Sequence, residues 1–399
     1  MTLEPQKNIL GLPKNIFFLG LTSLFNDFSS EMVFAVFPAF FTSVLHSGAR
    51  SLGLVDGVAE AASNFFKIYS GAVSDRLQKR KALVVSGYAL SVVTRPFYLL
   101  VSTVGGAMGL RFLDRVGKGL RDAPRDAIIS LSTTKETLGR SFGYHRTMDK
   151  TGAILGPLAA YIILLNFPLR FDIIFITAFI IGIVVLLTLV FIKDIAVTIA
   201  NPLNLSNSFA ELSPQFRKYV ITMFVLSIGS LPIAVLLLTT TSIGLVIADI
   251  PLFYMVYNIA YAVFSTPAGI LSDRIGARCV LLLGYVAMLS GYAALLFAHS
   301  ILSLLAGFLL LGLFPALTDG VQRSLASQLT AQSVRGGGLG WLTGATGFGA
   351  LIAGAMGGYL WQVYSPATAF ITATCFVIVG LVLLLYPDFR QTHLTQTLS

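Results

Sequence analysis

The chain has 399 residues, 55% of them hydrophobic and only 11% charged, and its 27 Lys and Arg against 18 Asp and Glu give a formal charge of +9. Soluble domains carry charge on about a quarter of their residues, so this composition excludes a water-soluble globular fold and sets most of the surface against lipid. The basic excess does not imply a nucleic-acid partner, because it is distributed as a membrane topology requires.

A helix that crosses a bilayer needs about 20 mostly apolar residues. Such stretches predict helices over 15–45, 52–73, 82–103, 106–128, 141–165 and 171–192. After a polar segment, six more follow over 218–240, 250–272, 278–298, 300–325, 338–360 and 367–388. The expected fold is an all-α integral membrane protein with twelve transmembrane helices in two pseudo-symmetric six-helix bundles. Residues 1–192 form the first bundle, 193–217 a cytoplasmic linker and 218–399 the second bundle. Helices 4 and 5 are the most polar, and hydropathy alone does not secure them.

Orientation follows from the basic residues. With both termini in the cytoplasm, fifteen Lys and Arg fall in cytoplasmic segments, ten inside predicted helices, and only Arg50 and Arg170 in outer loops. That is the positive-inside asymmetry. The first apolar run is longer than the core of a cleavable signal. The expected location is a bacterial cytoplasmic (inner) membrane, multi-pass, with both termini inside. Cys279 and Cys375 are expected to pack within helices and not to form a disulfide.

An internal repeat organises the chain. The loop after helix 2 reads Gly71-Ala-Val-Ser-Asp75-Arg76, and the loop after helix 8 reads Gly269-Ile-Leu-Ser-Asp273-Arg274. Both follow G-x-x-S-D-R, with their aspartates 198 residues apart. The same offset carries Arg125 onto Arg323 and Gly156 onto Gly354. Three matches in one register indicate a duplicated six-helix unit.

In these motifs the sequence resembles the major facilitator superfamily of transporters over nearly its whole length. The first loop departs from that family's G-x-x-x-D-R-x-G-x-[RK] signature at Gln78, whereas the second keeps Gly276. Arg115-Val-Gly-Lys118-Gly119 looks like the family's R-x-x-x-G element. Gly152-Ala-Ile-Leu-Gly156-Pro157 resembles the helix 5 element of its proton-coupled antiporters, with Ala159 and Ala160 in place of the last two glycines. The resemblance implies that Asp75, Arg76, Asp273 and Arg274 act as a latch against the starts of helices 11 and 5. Arg125 and Arg323 join them as gating residues. A carboxylate at a helix N-terminus stabilises by about 0.3–1 kcal/mol.

The helices of the first half hold most of the intramembrane charge, whereas the second half offers Asp319 and Arg323. An ionised side chain at mid-bilayer costs about 2.5–3.5 kcal/mol on the mildest scale, so these groups must face one another or a watery path. Asp27 and Glu31 are one turn apart on helix 1, and Asp56, Glu60, Ser63 and Lys67 share a face of helix 2. Arg111, Arg115 and Lys118 share a face of helix 4, with Asp114 in reach of Lys118. Neighbouring carboxylates hinder each other's ionisation and a nearby arginine restores it, which is what a proton switch requires. Asp27 and Glu31 are therefore the expected proton-linked acids, with Arg115 as their cationic partner. Arg95, Arg111 and Asn26, with Tyr257 and Asn258 on helix 8, are the expected substrate-binding residues. The helix 8 stripe of Phe253, Tyr254, Tyr257, Asn258 and Tyr261 suits lipid or core packing as well as a ligand.

These features point to a proton-coupled antiporter exporting a small charged or amphiphilic compound. The alternative is a symporter or facilitator importing an anionic metabolite such as a carboxylate siderophore. The chain carries no P-loop, no His-Glu-x-x-His and no Gly-x-Ser-x-Gly, so ATP-driven transport and enzymatic chemistry are not expected. The expected partners are the substrate, protons and membrane lipids, without cofactor or metal, and the expected state is a monomer.

Overall fold

A computed structural model describes residues 8–9, 11–77, 79–134, 137–194, 209, 212–330 and 335–385. Its architecture is all-α apart from one short hairpin, Asn8–Ile9 against Leu12–Pro13. The first span is α1 (Lys14–Ala35) followed by α2 (Phe37–Ser43), broken where Pro38 enters the second segment. Proline removes a helical donor and crowds the preceding turn. α3 (Ala49–Leu77), α4 (Arg80–Phe97), α5 (Val104–Leu131), α6 (Leu138–Asn166) and α7 (Phe171–Val190) complete the first half. In the second half, α8 (Pro214–Ile228) and α9 (Ile233–Leu236) share one span interrupted at Pro232. α10 (Ile250–Ile275), α11 (Ala277–Leu296), α12 (Ile301–Gln328), α13 (Arg335–Val363) and α14 (Pro366–Leu385) follow.

The repeat is visible in these boundaries. An offset of 198 carries α3 onto 247–275, where α10 lies, and α5 onto 302–329, where α12 lies. Among the described residues, nine helices are apolar enough by composition alone to cross a membrane. The exceptions are α1, α3 and α5, so the fifth predicted helix is more secure than its charge suggested and the first two less so. Those three helices carry Asp27, Glu31, Asp56, Glu60 and the arginines of α5. Their polarity belongs to the site they build.

Glycines set the closest helix contacts. A Cβ on Gly152 or Gly156 of α6 would stand 2.3 or 2.6 Å from the carbonyl oxygens of Leu24 and Phe28 on α1. Small residues allow this approach between transmembrane helices. Across the two halves, a Cβ on Gly354 would meet the Gly53 carbonyl oxygen at 2.3 Å, and one on Gly358 that of Ala49 at 2.4 Å.

Hereafter the end bearing the G-x-x-S-D-R motifs is the basic end, and the opposite one the far end. α3 and α13 are pinched backbone to backbone at the far end. Toward the basic end they diverge, and Gly340 and Gly344 meet only the Ile68 side chain, at 3.6 and 4.0 Å. A Cβ on Gly139 or Gly143 of α6, or on Gly269 of α10, would meet nothing within 4 Å. The halves thus close at one end and part at the other.

Both cysteines are free and exposed on the helix surfaces, contrary to the packing role expected of them.

Candidate functional site

A narrow cleft lies between α1 and α5. Asp27, Ser30 and Glu31 line one wall, and Arg111, Asp114, Arg115, Lys118 and Arg121 line the other. The spacing on α5 puts these side chains on one helical face, as read from sequence. Asp27, Glu31, Arg115 and Arg111 are therefore brought together.

Their pairing differs from expectation. Asp114 pairs with Arg111 at 3.5 Å, one turn back, in place of Lys118. Arg111 also meets Asp56 at 3.3 Å, and its guanidinium lies 4.3 Å from the centroid of the Phe34 ring. Arg111 is thus committed to two carboxylates and two rings, those of Phe34 and Phe37. Arg115 and Lys118 form no ion pair among the described residues, although Arg115 lies 5.9 Å from the Phe34 ring centroid. Arg115 shares the cleft with Asp27 and Glu31 without touching them.

Arg95 and Asn26 sit behind the cleft. They are 2% and 1% exposed and are not among the residues that line the cleft. Arg95 Nη2 donates to Asn26 Oδ1 at 3.0 Å, and Asn26 Nδ2 donates to Asp27 Oδ1 at 3.0 Å. The chain of donors orients the Asp27 carboxylate from within. Gly182 of α7 makes room for the guanidinium, since a Cβ there would lie 2.6 Å from Arg95 Nη1.

A third acid joins from α6. Ser23, one turn from Asp27 on α1, donates to Asp149 Oδ1 at 2.7 Å. The spacing within α1 makes Ser23 and Asp27 neighbours, but nothing in the sequence ties either to α6.

The aromatic stripe of α10 faces the first half. Tyr254 Oη donates to Glu31 Oε2 at 2.5 Å, and its ring stacks on Tyr257 at 5.9 Å and meets Phe34 at 5.2 Å. Further along, Tyr261 Oη donates to Asp319 Oδ2 at 2.5 Å while Lys150 Nζ of α6 lies 3.2 Å from the Tyr261 ring centroid. Asn258 is 4% exposed and donates to the Tyr254 carbonyl of its own helix at 3.1 Å. The one visible hint of the Tyr254 contact is a tyrosine at helical spacing opposite a span carrying a lone carboxylate pair.

The basic end holds a separate network. Asp122 accepts from Arg125 at 3.2 Å and pairs with Lys67 at 3.5 Å, and Arg125 reaches Asp126 at 2.9 Å. Its repeat counterpart Arg323 is exposed, as are Asp273 and Arg274 at the end of α10. The side chains of Asp75 and Arg76, at the end of α3, lie outside the described residues.

The family description "Major Facilitator Superfamily" matches residues 19–258 and 219–397. An uncharacterized MFS-type transporter of Methanocaldococcus jannaschii is 36% identical over 381 residues, covering 94% of this chain and 95% of its own. The class B tetracycline resistance protein of Escherichia coli is 29% identical over 140 residues, 35% of this chain and 34% of its own. Among solved structures, a POT family transporter in complex with 5-aminolevulinic acid superposes with a TM-score of 0.78 at 14% identity, covering 97% of this chain and 99% of its own. That likeness concerns the fold.

Proposed function

Because the chain belongs to the Major Facilitator Superfamily, we propose that it is a proton-coupled transporter that exports a small charged or amphiphilic organic compound by alternating access. One observation carries the reading. Two cations, Arg115 and Lys118, face a cleft without ion-pair partners among the described residues, beside the carboxylates Asp27 and Glu31. An anionic group of the substrate would pair with these cations and a cationic group with ionised Asp27 or Glu31, so that a proton arriving on either acid competes with the substrate and favours its release, as exchange requires. Tyr257, half-buried and stacked on Tyr254, offers an apolar face to the rest of such a molecule. The partial likeness to a tetracycline resistance protein supports the outward direction.

In this reading the basic end is cytoplasmic, and the parted halves there represent the inward-facing state. Asp75, Arg76, Asp273, Arg274, Arg125 and Arg323 then act in the opposite state, in which the basic end closes. The exposure of Asp273 and Arg274 suits a released latch.

The test is reconstitution. A thermal-shift screen of organic acids, siderophores and cationic drugs supplies candidate substrates, and a pH-sensitive dye inside proteoliposomes reads proton movement on substrate addition. Substrate-driven proton flux is expected from the native protein and is expected to disappear in Asp27→Asn and Glu31→Gln. Full coupling in both variants would overturn the proton role. The cation-rich wall also suits import of an anionic metabolite. Accumulation by intact cells, against uptake by inverted vesicles, decides the direction.

A further inference from the structure

Away from the cleft, the wall of the second half carries an apolar groove of about 350 Å³ between α8 and α13. Ile221 and Phe224 line it from α8, and Trp341, Gly344 and Phe348 from α13. Phe209 also lines it. Phe224 and Phe348 stack in parallel at 6.1 Å, and Phe209 meets Trp341 at 5.2 Å. Ile221, Trp341 and Phe348 are 51%, 44% and 56% exposed. An open apolar recess on a membrane-spanning surface accommodates hydrocarbon more favourably than water.

One end of the recess is charged. Arg217 precedes Ile221 by one helical turn and Phe224 by two, so it lies on the groove face of α8, in the first turn at the basic end. Trp341 stands near the same level, in the second turn of α13. Tryptophan and arginine at this depth mark the boundary between hydrocarbon and headgroups. An apolar slot with a cation at its mouth is complementary to an acyl chain ending in a negatively charged phosphate.

We propose that the α8–α13 groove is a binding site for an anionic phospholipid, with one acyl chain between Phe224 and Phe348 and its phosphate at Arg217. The site adjoins the gap between the halves. Gly344, which lines the groove, is also the point where α13 has diverged from Ile68 of α3. A chain seated there supports α13 in the position it holds when the basic end is parted.

The chain has two tryptophans, which makes the test direct. In full-length protein carrying Trp361→Phe, Trp341 is the sole indole and reports contact with brominated acyl chains by quenching. Vesicles of brominated phosphatidylglycerol or brominated phosphatidylcholine, each diluted in unbrominated phosphatidylcholine, give the relative affinity at that site. One cation near the surface contributes a preference of about fivefold for the anionic lipid. Arg217→Gln is expected to bring the two lipids level, and Ala345→Phe, which fills the groove, to lower quenching by both. Equal quenching by the two lipids with Arg217 intact, or quenching unchanged by Ala345→Phe, would overturn the proposal. Circular dichroism of each variant shows whether it is folded, and Ala345→Leu repeats the filling with a smaller side chain.

Discussion

The contact that closes the far end is open to a signed test at Gln362. Its Oε1 accepts from the backbone N–H of Arg50 at 2.9 Å, so the C-terminal turn of α13 caps the first turn of α3 in the other half. The first N–H groups of a helix have no intrahelical partner, and this cap exists only while the far ends touch. Losing a side-chain cap costs about 1 kcal/mol. Gln362→Ala should therefore move the ratio of far-end-closed to far-end-open protein about fivefold toward open. Gln362→Glu should act the other way. A carboxylate at a helix N-terminus adds about 0.3–1 kcal/mol, a shift of about two- to fivefold toward closed at pH 7. That gain is present while the carboxylate is ionised and falls back to the glutamine level as pH drops through the carboxylate range. Spin labels on cysteines replacing Leu169 and Phe297, both exposed at the far end in opposite halves, read the two populations by electron–electron distance in protein lacking Cys279 and Cys375. An unchanged distribution in Gln362→Ala, or a shift of Gln362→Glu in the same direction as alanine, would refute the capping argument.

Other outcomes follow from the same geometry. Gly354→Val places a side chain against the Gly53 carbonyl, so the same labels should report a far end held open, and transport should fall at least tenfold. Tyr254→Phe removes a hydrogen bond to a charged group, which contributes about 1.5–3 kcal/mol. It should open the far end more than Gln362→Ala does in the same distance measurement. Arg125→Ala leaves the buried Asp122 short of its closest cation and should cost about 3–5 kcal/mol, seen as a lower thermal unfolding midpoint in detergent. Arg323→Ala, at an exposed position, should stay within about 0.5 kcal/mol of the native protein.

Much of this was legible in the sequence because it depends on one helix at a time. Apolar run length secured nine of the spans, the 198-residue offset pointed to the two halves, and the spacing of Arg111, Arg115 and Lys118 gave the inner face of α5. Contacts between helices were not legible, because they depend on how each helix is rotated about its axis and how far it is shifted along it. Asp114 has cations at both i−3 and i+4, and spacing alone cannot choose between them; the position of Asp56 on α3 draws Arg111 into the pair. The role of α10 was obscured for the same reason. A stripe of aromatic residues reads alike whether it faces lipid or Glu31. Arg95 lies in the last turn of α4, bonded to Asn26, but whether a side chain stands in front of a cleft or behind it is set by the packing of α4 and α7, which leaves no periodic mark.

The glycine seam between α3 and α13 has a consequence for tightness. Where backbone lies on backbone, no knob sits in a hole, so parting the strips needs no rotamer to turn and leaves no crevice wide enough for a file of water. If transport is coupled to protons as proposed above, the gradient must not drain past the closed door. A door faced with bare main chain can swing freely and still seal.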